Sequence, residues 1–468
     1  MSLSIALDLG TSKIKAATLS HDGSLQNLQE VDSPPPYING LICEYDPKEY
    51  LRLSTELLKE IIKDNPGKKN LGISSQRSSF LLWNRKSGEP ITPLISWQDR
   101  RAKDWCERHA SLNEAIYKRT GLPLSPHYAG PKLASMTEKD ANLRNYIDSG
   151  LCLFGNLETY LIWNWSKKQC HHTDISMAAR TLLADPEKSE WDSEVLLTSG
   201  IPKSIFPSIN SSSGHDIPLI NNIFLKATVS DQASGTLATL GEQGEGTLIN
   251  IGTGAFVLKP TGKEFRKVPG YLSGPLYENK EKQRFYSIEG TVNGGGAVAD
   301  RFGSISALIP SSDPTPKSFC IPDLMGLGSP HWKPEITLIF SEDAKKLPPE
   351  QKRRIILEGI IFRIREILEG MEKECPSGPI YLSGGLSKEI FVSKGLASCL
   401  QKEIKLLSNT ESSLMGAARL AAGLKPFAVQ KKKILLPDES CKYLHGKYEQ
   451  WKEWMDTALL RNSSPRSH

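Results

Sequence analysis

Short apolar runs, each closed by turn-forming residues, dominate the first quarter of the chain. Their lengths and flanking residues predict β-strands, at 4–7, 14–19, 71–75 and 80–83. Leucine and isoleucine recur near helical spacing over 47–63, which predicts an amphipathic helix. Strands and helices continue to alternate beyond this point, and such alternation indicates an α/β fold.

The second half of the chain repeats this pattern without repeating its letters. A strand at 246–251 leads into a glycine- and threonine-containing turn and then a strand at 256–258, as the first strand of the chain does. A long helix at 353–371 and a strand at 380–382 follow. Two strand–turn–strand units predict a duplicated fold with a cleft between its halves.

Length and composition bound the function. The 468 residues suffice for two or three domains, which we place at 1–240 and 241–425, with a helical tail at 426–468. A net charge of +5 is small for this length and argues against a nucleic-acid partner. No apolar run is long enough for a membrane span. The scattered cysteines form no CxxC pair, which argues against a zinc site and favours a cytoplasmic setting.

The turn after the first strand has the residue types of a phosphate site. Thr11 and Ser12 follow a glycine, and such turns bring backbone N–H groups close to phosphate oxygens. Lys15 adds a positive charge. Asp8, at the strand end, can hold Mg²⁺, which prefers carboxylates together with phosphates. The same residue types also form ordinary hairpin turns, so this motif alone leaves both interpretations open.

Glycine-rich turns in the second half offer a matching site. Gly252 and Thr253 repeat the residue types of the first turn, and Gly384 and Gly385 follow another apolar strand, where glycine lets a flat ring approach the backbone. Each also has a plain alternative as a turn or a helix start. One such turn in each half is less expected by chance, because the two could face one nucleotide across the cleft.

Two further segments suggest a hydroxylated substrate. Asp231 follows a β-branched stretch and can act as a general base on a hydroxyl, although aspartate is also favoured as a helix N-cap. Arg77 and Trp97 lie in polar segments. Such segments suit a ligand whose face stacks on an aromatic ring and whose edges hydrogen-bond.

These segments together resemble the FGGY carbohydrate kinases, and within that family the glycerol kinases most visibly, over about residues 5–423. The blocks that carry the resemblance occur in one order: Leu7-Asp8-Leu9-Gly10-Thr11-Ser12, Ser75-Gln76-Arg77, Trp97-Gln98-Asp99-Arg100-Arg101, Thr120-Gly121-Leu122-Pro123, Ser230-Asp231-Gln232, Gly252-Thr253-Gly254, Ile288-Glu289-Gly290, Ser383-Gly384-Gly385 and Gly416-Ala417-Ala418. The resemblance implies two actin-like (ribonuclease H-like) α/β domains, with ATP in the interdomain cleft and a sugar beneath it.

The resemblance also implies roles for single residues. Asp231 would be the general base, and Asp8 would hold Mg²⁺ together with it. The expected substrate contacts are Arg77, Ser78, Trp97, His127, Asp231, Gln232 and Phe256. The expected nucleotide contacts are Thr11, Ser12, Lys15, Gly252, Thr253, Gly296, Gly384 and Gly385. The implied cofactors are ATP and Mg²⁺, and the implied partner is a small sugar or polyol, with a homodimer as an assembly that it allows.

Two departures from the glycerol kinase pattern bear on the substrate. Where those enzymes have a Glu after the Arg and a Tyr after the Pro, this chain has Ser78 and His127. Losing a hydrogen-bond partner from a buried polar site costs about 1–3 kcal/mol. A serine also leaves room for a longer acceptor, so a ketose or sugar alcohol is favoured over glycerol. Ser383 replaces the family's usual Asp, so nucleotide contacts are expected to differ.

We therefore expect an ATP-dependent sugar or polyol kinase. Glycerol kinase is the alternative within this class. A non-catalytic sugar- or ATP-binding regulatory homologue is an alternative of another class, and an actin- or chaperone-like ATPase is a third. Retention of both Asp8 and Asp231 favours the enzyme, and the substrate-side segments around Arg77 and Trp97 argue against the ATPase.

Overall fold

The chain folds around two large β-sheets that share one topology. The computed structural model describes residues 3–192, 194, 200–242, 244–303, 313–376, 378–408, 411–427 and 432–463. The first sheet has six strands, in the spatial order Ser213–Pro218, Ile223–Ser230, Lys69–Ser75, Leu3–Leu9, Lys13–Leu19 and Leu25–Asp32. The second has seven, in the order Leu272–Glu278, Arg284–Val292, Ala255–Gly262, Thr247–Ile251, Ile380–Ser383, Ile404–Leu407 and Lys432–Leu435.

Each sheet is built around one central strand with the same neighbours. Leu3–Leu9 pairs antiparallel with the strand that follows it and parallel with Lys69–Ser75. In the second sheet, Thr247–Ile251 pairs antiparallel with the strand that follows it and parallel with Ile380–Ser383. The predicted duplication of an α/β unit is therefore confirmed, although no letters of the sequence repeat.

Helices cover the sheets. They occur at Pro47–Ile61, Lys103–Arg108, Asn113–Thr120, Ala129–Lys139, Ala141–Asp148, Leu157–Trp165, Ile175–Ala178, Asp231–Leu240, Gly295–Asp300, Glu342–Lys345, Pro349–Glu374, Ile390–Leu400, Ser412–Ala421 and Tyr443–Ser463. The predicted helices at 47–63 and 353–371 are confirmed. The first begins because Asp46 accepts hydrogen bonds from two backbone N–H groups of its first turn.

A third, five-stranded sheet extends the first half and carries part of the site. Its strands lie in the order Tyr37–Asn39, Ile42–Tyr45, Leu94–Ile95, Phe80–Asn84 and Cys152–Asn156. Smaller two-stranded pairs join His172–Asp174 to Ser208–Asn210, Ala184–Asp185 to Glu190–Trp191, and Cys320–Ile321 to Ile339–Phe340. Within the described ranges, no helix is both long and apolar enough to cross a bilayer.

Two segments complicate a division of the chain at 240 and 425, which stays a prediction. Helix Ser412–Ala421, assigned by sequence to the second domain, packs on the first sheet. A Cβ at Gly72 of that sheet would lie 2.0 Å from the carbonyl oxygen of Ala417. The tail is not only helical, because Lys432–Leu435 adds an edge strand to the second sheet. Trp451, further along the tail, packs into the hydrophobic core of the second half.

Candidate active site

Three parallel strands of the first sheet bring charged side chains to one edge. Asp8 lies in Leu3–Leu9, Arg77 follows Lys69–Ser75, and Asp231 follows Ile223–Ser230. The carboxyl ends of neighbouring parallel strands meet at the same edge of a sheet, and ligands of open α/β sheets bind outside that edge. Residues that are distant in sequence therefore become neighbours here.

Asp8 is a carboxylate whose surroundings disfavour its negative charge. Burial raises its pKa to about 7; the nearby hydroxyl of Ser74 opposes that rise, and the negative charges of Asp231 and Glu411 add to it. Its Oδ1 is buried and has no hydrogen-bond partner among the described residues. A buried carboxylate oxygen without a donor is a fit for a cation, because a positive ion would offset both the burial and the neighbouring negative charges.

Asp231 is the first residue of helix Asp231–Leu240, and its side chain is 29% exposed. Its Oδ1 accepts a hydrogen bond of 2.7 Å from the backbone N–H of Gln232 and lies 3.6 Å from Nε of Arg77. Burial raises the pKa of Asp231, and the positive charge of Arg77 opposes that rise. The N-cap of this helix is Ser230, so the interpretation of Asp231 as the N-cap is wrong. Its carboxylate is partly exposed, and its role as general base stays a prediction.

A buried ion cluster joins this edge to the second sheet. Arg77 donates two hydrogen bonds, of 2.7 and 2.9 Å, to the two carboxylate oxygens of Glu289, which lies in strand Arg284–Val292. Arg180 donates a third, of 2.7 Å, to the same carboxylate. Burial would raise the pKa of Glu289, but Arg180 and Arg77 lower it to about 2. Glu289 is therefore charged and holds both guanidinium groups in place.

An aromatic side chain, Trp97, lies beside the turn that follows the first strand. The indole N–H of Trp97 donates to Oγ1 of Thr11 at 2.9 Å, and Thr11 donates to Gln76 at 3.1 Å. The ring of His127 lies 5.6 Å from that of Trp97. Burial lowers the pKa of His127 to about 3, so its imidazole is neutral.

Ser78 is turned into the protein. It has no exposed surface, and its hydroxyl donates to the backbone carbonyl of Arg180 at 2.9 Å. Its role as a substrate contact stays a prediction. Gln232 and Phe256 are partly exposed, Gln232 beside Asp231 and Phe256 on the second sheet.

The expected phosphate contacts of the first turn differ in accessibility. Ser12 is exposed. Lys15 instead forms an ion pair of 2.7 Å with Glu411, which directly precedes helix Ser412–Ala421. The hydroxyl of Ser413 donates to the backbone carbonyl of Asp231 at 3.0 Å. The start of this returning helix therefore borders the site.

Three glycine turns of the second sheet meet at one point. The backbone N–H of Gly252 donates to Gly254, and the carbonyl of the exposed Thr253 accepts from Ala297 at 3.0 Å. A Cβ at Gly296 would lie 1.9 Å from the carbonyl oxygen of Gly252, and one at Gly384 would lie 2.4 Å from that of Ile251. These two glycines are thus required by the approach of another turn, whereas the space beside Gly385 is open.

The donor set suits one kind of metal. Among the described residues, no group of three or more His, Cys, Asp or Glu side chains could hold a metal ion. Asp8 and Asp231 are two carboxylates close enough for one to raise the pKa of the other. Magnesium is usually bound by one or two carboxylates together with substrate phosphates and water, so the pair fits Mg²⁺ arriving with a nucleotide.

Sequence reasoning missed several residues of this site. Arg180 carried no local signal, and Glu289 was recognised only as part of a matching block. Glu411 and Ser413 come from a helix expected to belong to the other half. Only the folded contacts assign these residues to the site, because each reaches it from a distant part of the chain.

Acidic side chains at one edge and crowded glycine turns at the other are the parts that a phosphotransferase with a hydroxyl acceptor needs. Comparison with known proteins gives the family. Residues 3–225 match the N-terminal domain of the FGGY family of carbohydrate kinases, and residues 247–423 match its C-terminal domain. The chain belongs to this family and is an ATP-dependent carbohydrate kinase.

Individual relatives are distant but match along their whole length. A glycerol kinase of Saccharolobus islandicus (strain M.14.25) is 27% identical, over 97% of this chain and 96% of the relative. A glycerol kinase of Aquifex aeolicus is 29% identical, over 90% and 89%. Among solved structures, xylulose kinase from Lactobacillus acidophilus has a TM-score of 0.85 at 20% identity, covering 98% and 99%. Plasmodium falciparum glycerol kinase with ADP has 0.82 at 20%, covering 99% of each chain. The predicted two-domain actin-like fold is confirmed.

Proposed function

We propose that this kinase transfers the terminal phosphoryl group of ATP to a hydroxyl of a ketose or sugar alcohol longer than glycerol, with Asp231 as the general base. The observation that carries the proposal is the accessible carboxylate of Asp231, 3.6 Å from Arg77 and electrostatically coupled to Asp8. A general base must reach the proton that it removes, and a partly exposed carboxylate at a sheet edge can do so.

The surroundings of Asp231 support this role. The hydrogen bond from Gln232 and the nearby guanidinium of Arg77 fix the carboxylate, and Glu289 fixes Arg77 in turn. Burial makes the carboxylate a stronger proton acceptor, because it raises the pKa. The positive charge of Arg77 opposes that rise and favours the ionised form, which is the form that accepts the proton of the acceptor hydroxyl.

Asp8 and Asp231 would hold Mg²⁺, which when bound would neutralise phosphate charge during transfer. The unpartnered Oδ1 of Asp8 supports this assignment. Thr11, Ser12 and Lys15 would bind the transferring phosphate from the first half. Lys15 would have to exchange part of its ion pair with Glu411 for the phosphate.

The second half would bind the rest of the nucleotide through its backbone. Gly252 and Thr253 would contact the β- and γ-phosphates, with Gly296 and Gly384 keeping the turns close together. Gly385 would face the adenosine, since its open side admits a flat group. Closure of the two halves around the substrates would exclude water, which competes with the sugar as the phosphoryl acceptor.

The polar and aromatic groups expected to line the acceptor pocket favour a molecule with more hydroxyl groups than glycerol. Trp97 offers a ring face, and the neutral imidazole of His127 offers one donor and one acceptor in place of the phenol of glycerol kinases. Arg77, Asp231 and Gln232 add further polar groups. Because the hydroxyl of Ser78 already donates to the carbonyl of Arg180, the preference for a longer acceptor depends mainly on His127.

Glycerol is the second candidate, and a specific observation favours it. The curated relatives that match this chain over 97% of its length are named glycerol kinases. Identity of 27% leaves room for a change of acceptor. A pocket built to hydrogen-bond a particular hydroxyl strongly rejects acceptors that lack this hydroxyl.

The test is ATP-coupled ADP release with glycerol, erythritol, ribulose, xylulose, fuculose, rhamnulose, gluconate and sedoheptulose as acceptors. Turnover with one ketose or polyol at a kcat/KM well above that for glycerol is expected, with Asp231→Asn as the inactive control. A higher kcat/KM for glycerol than for the other acceptors would overturn the proposed acceptor, but the kinase activity itself would stand. If no acceptor on the panel supports ADP release, the acceptor class itself is wrong.

A further inference from the structure

Lys132 is a buried cation that the proposed reaction does not use. It lies in the first turn of helix Ala129–Lys139 and has no exposed surface. Both features are unfavourable for an ammonium group. Burial removes its hydration, and the N-terminal end of a helix carries a partial positive charge. Methionine or leucine would fill the same volume without either disadvantage, so packing alone does not explain a lysine here.

The contacts of the ammonium group supply the explanation. Nζ of Lys132 donates a hydrogen bond of 2.6 Å to the backbone carbonyl of Ser96 and another of 2.9 Å to that of His127. Ser96 directly precedes Trp97. One side chain therefore ties together the two backbone segments that carry the two rings of the acceptor pocket, which lie 5.6 Å apart.

Neighbouring charges do not replace this role. Asp99 is the carboxylate whose charge most favours the protonated form of Lys132, but its oxygens already accept hydrogen bonds from Cys43 and Arg101. Burial lowers the pKa of Lys132 to about 7, and Asp99 offsets only part of that effect. The two carbonyls are thus the direct partners of the ammonium group, rather than an ion pair that happens to lie beside the pocket.

We propose that Lys132 is the positioning residue of the acceptor pocket: its ammonium group holds the segments of Trp97 and His127 in register, so that its loss weakens acceptor binding and leaves nucleotide binding intact. The inference rests on the proposed function, because it takes Trp97 and His127 as the walls of the acceptor site. It assigns a role to a residue that acts on the acceptor site through two backbone carbonyls.

The kinetic test compares Lys132→Met, Lys132→Gln and the wild type. Lys132→Met removes the side-chain donor from both carbonyls and leaves that of Ser96 with only the backbone N–H of Asp99. We expect the KM for the acceptor to rise about tenfold while the KM for ATP stays within about twofold. Lys132→Gln keeps N–H donors and should restore part of the loss. An unchanged acceptor KM in the methionine variant, or equal rises in both KM values, would overturn the proposal.

Leu133→Ala is the matched structural control. Leu133 is the next residue of the same helix and is fully buried, but its side chain donates nothing to either carbonyl. We expect it to lower the thermal midpoint at least as much as Lys132→Met without a comparable change in acceptor KM. If Leu133→Ala reproduces the KM change, general loosening of the helix explains the effect and Lys132 has no special role.

Hydrogen–deuterium exchange gives a readout that needs no activity. Lys132→Met should speed amide exchange in peptides covering 94–101 and 125–131, and Leu133→Ala should not do so selectively. Unchanged exchange in both peptides would overturn the positioning role of Lys132 even if the protein is an active kinase. Faster exchange in the variant, without turnover of any acceptor by the wild type, would support the contacts of Lys132 but refute the proposed function. The two failures are therefore distinguishable.

Discussion

The matching edges of the two large sheets are built from opposite kinds of residue. The edge of the first sheet carries the charged side chains of Asp8, Arg77 and Asp231. The edge of the second carries glycines: a Cβ at Gly384 would lie 2.4 Å from the Ile251 carbonyl oxygen, and one at Gly296 would lie 1.9 Å from that of Gly252. The strands beneath both edges pair in the same way.

This difference shows how a duplicated fold can divide one reaction. Under the proposed function, side chains would act on the small acceptor and the transferring phosphate, because general bases and ion pairs need titratable groups. The backbone would bind the nucleotide, because N–H groups bind phosphate only where the chain can approach closely. Topology is shared between the halves, whereas chemistry depends on which residues follow each strand.

Glu289 is the exception to this division, since it belongs to the second sheet and pairs with arginines of the first half. Glu289→Gln would leave Arg77 and Arg180 buried without their carboxylate, and breaking such a pair costs about 3–5 kcal/mol. We expect a loss of this size in the free energy of unfolding, measured by urea denaturation, together with a raised acceptor KM.

Glu278→Gln is the control for Glu289. Glu278 is a buried carboxylate on the neighbouring strand, paired with Arg284 away from the first edge. It should lose stability without a change in acceptor KM. Equal acceptor KM values in Glu289→Gln and the wild type would show that Glu289 serves only the structure.

The glycine edge can be tested with two adjacent residues. Gly384→Ala places a Cβ 2.4 Å from the Ile251 carbonyl at a φ of +96°, whereas a Cβ at Gly385 meets nothing within 4 Å. We expect Gly384→Ala to lower the free energy of unfolding by about 1–3 kcal/mol and to weaken ATP binding measured by calorimetry. Gly385→Ala should keep wild-type stability. Equal stability of the two variants would contradict the crowding argument.

A third test concerns Asp8 and depends on pH. Its folded-state pKa of about 7 lies above the ordinary value of 3.8, so the stability of the folded protein falls as pH rises through this range. The side chain of Asp8→Asn cannot ionise, so this variant does not lose stability in that way as pH rises. We expect the stability of this variant relative to the wild type to increase between about pH 5 and pH 8, measured by urea denaturation without ligands.

Asp22→Asn is the control for Asp8. Asp22 is a surface carboxylate whose pKa is lowered to about 2 by hydrogen bonds from Ser20 and Ser24, so it is ionised throughout this range. Its variant should show no such trend between the two pH values. A flat profile for Asp8→Asn would mean that Asp8 is not held at a raised pKa.

The sequence predicts the local parts of this structure well. Apolar runs closed by turns gave the central strands, because strand length and flanking residues are local features. The opposed edges follow from residues at strand ends. Contacts between distant segments were not predictable: the return of helix Ser412–Ala421 to the first sheet, and the meeting of Glu289 with Arg180, depend on how the halves pack.

Ser78 shows a second limit. Its position beside Arg77 suggested a ligand contact, yet its backbone adopts a φ of +63° and its hydroxyl turns to Arg180. Neighbours in sequence can point to opposite sides of a turn, and residue type does not reveal which side. Lys132 was overlooked for a related reason, since a lysine in a helix pattern is ordinarily taken as exposed.

The most direct test of the account is the phosphoryl-transfer rate of Asp231→Asn at saturating ATP and with the acceptor that the wild type uses best. The variant keeps the size of the side chain but cannot accept the hydroxyl proton, and we predict a kcat about 10²–10⁴-fold lower. A kcat within about tenfold of the wild type would contradict Asp231 as the general base and, with it, the division of the reaction between the two edges.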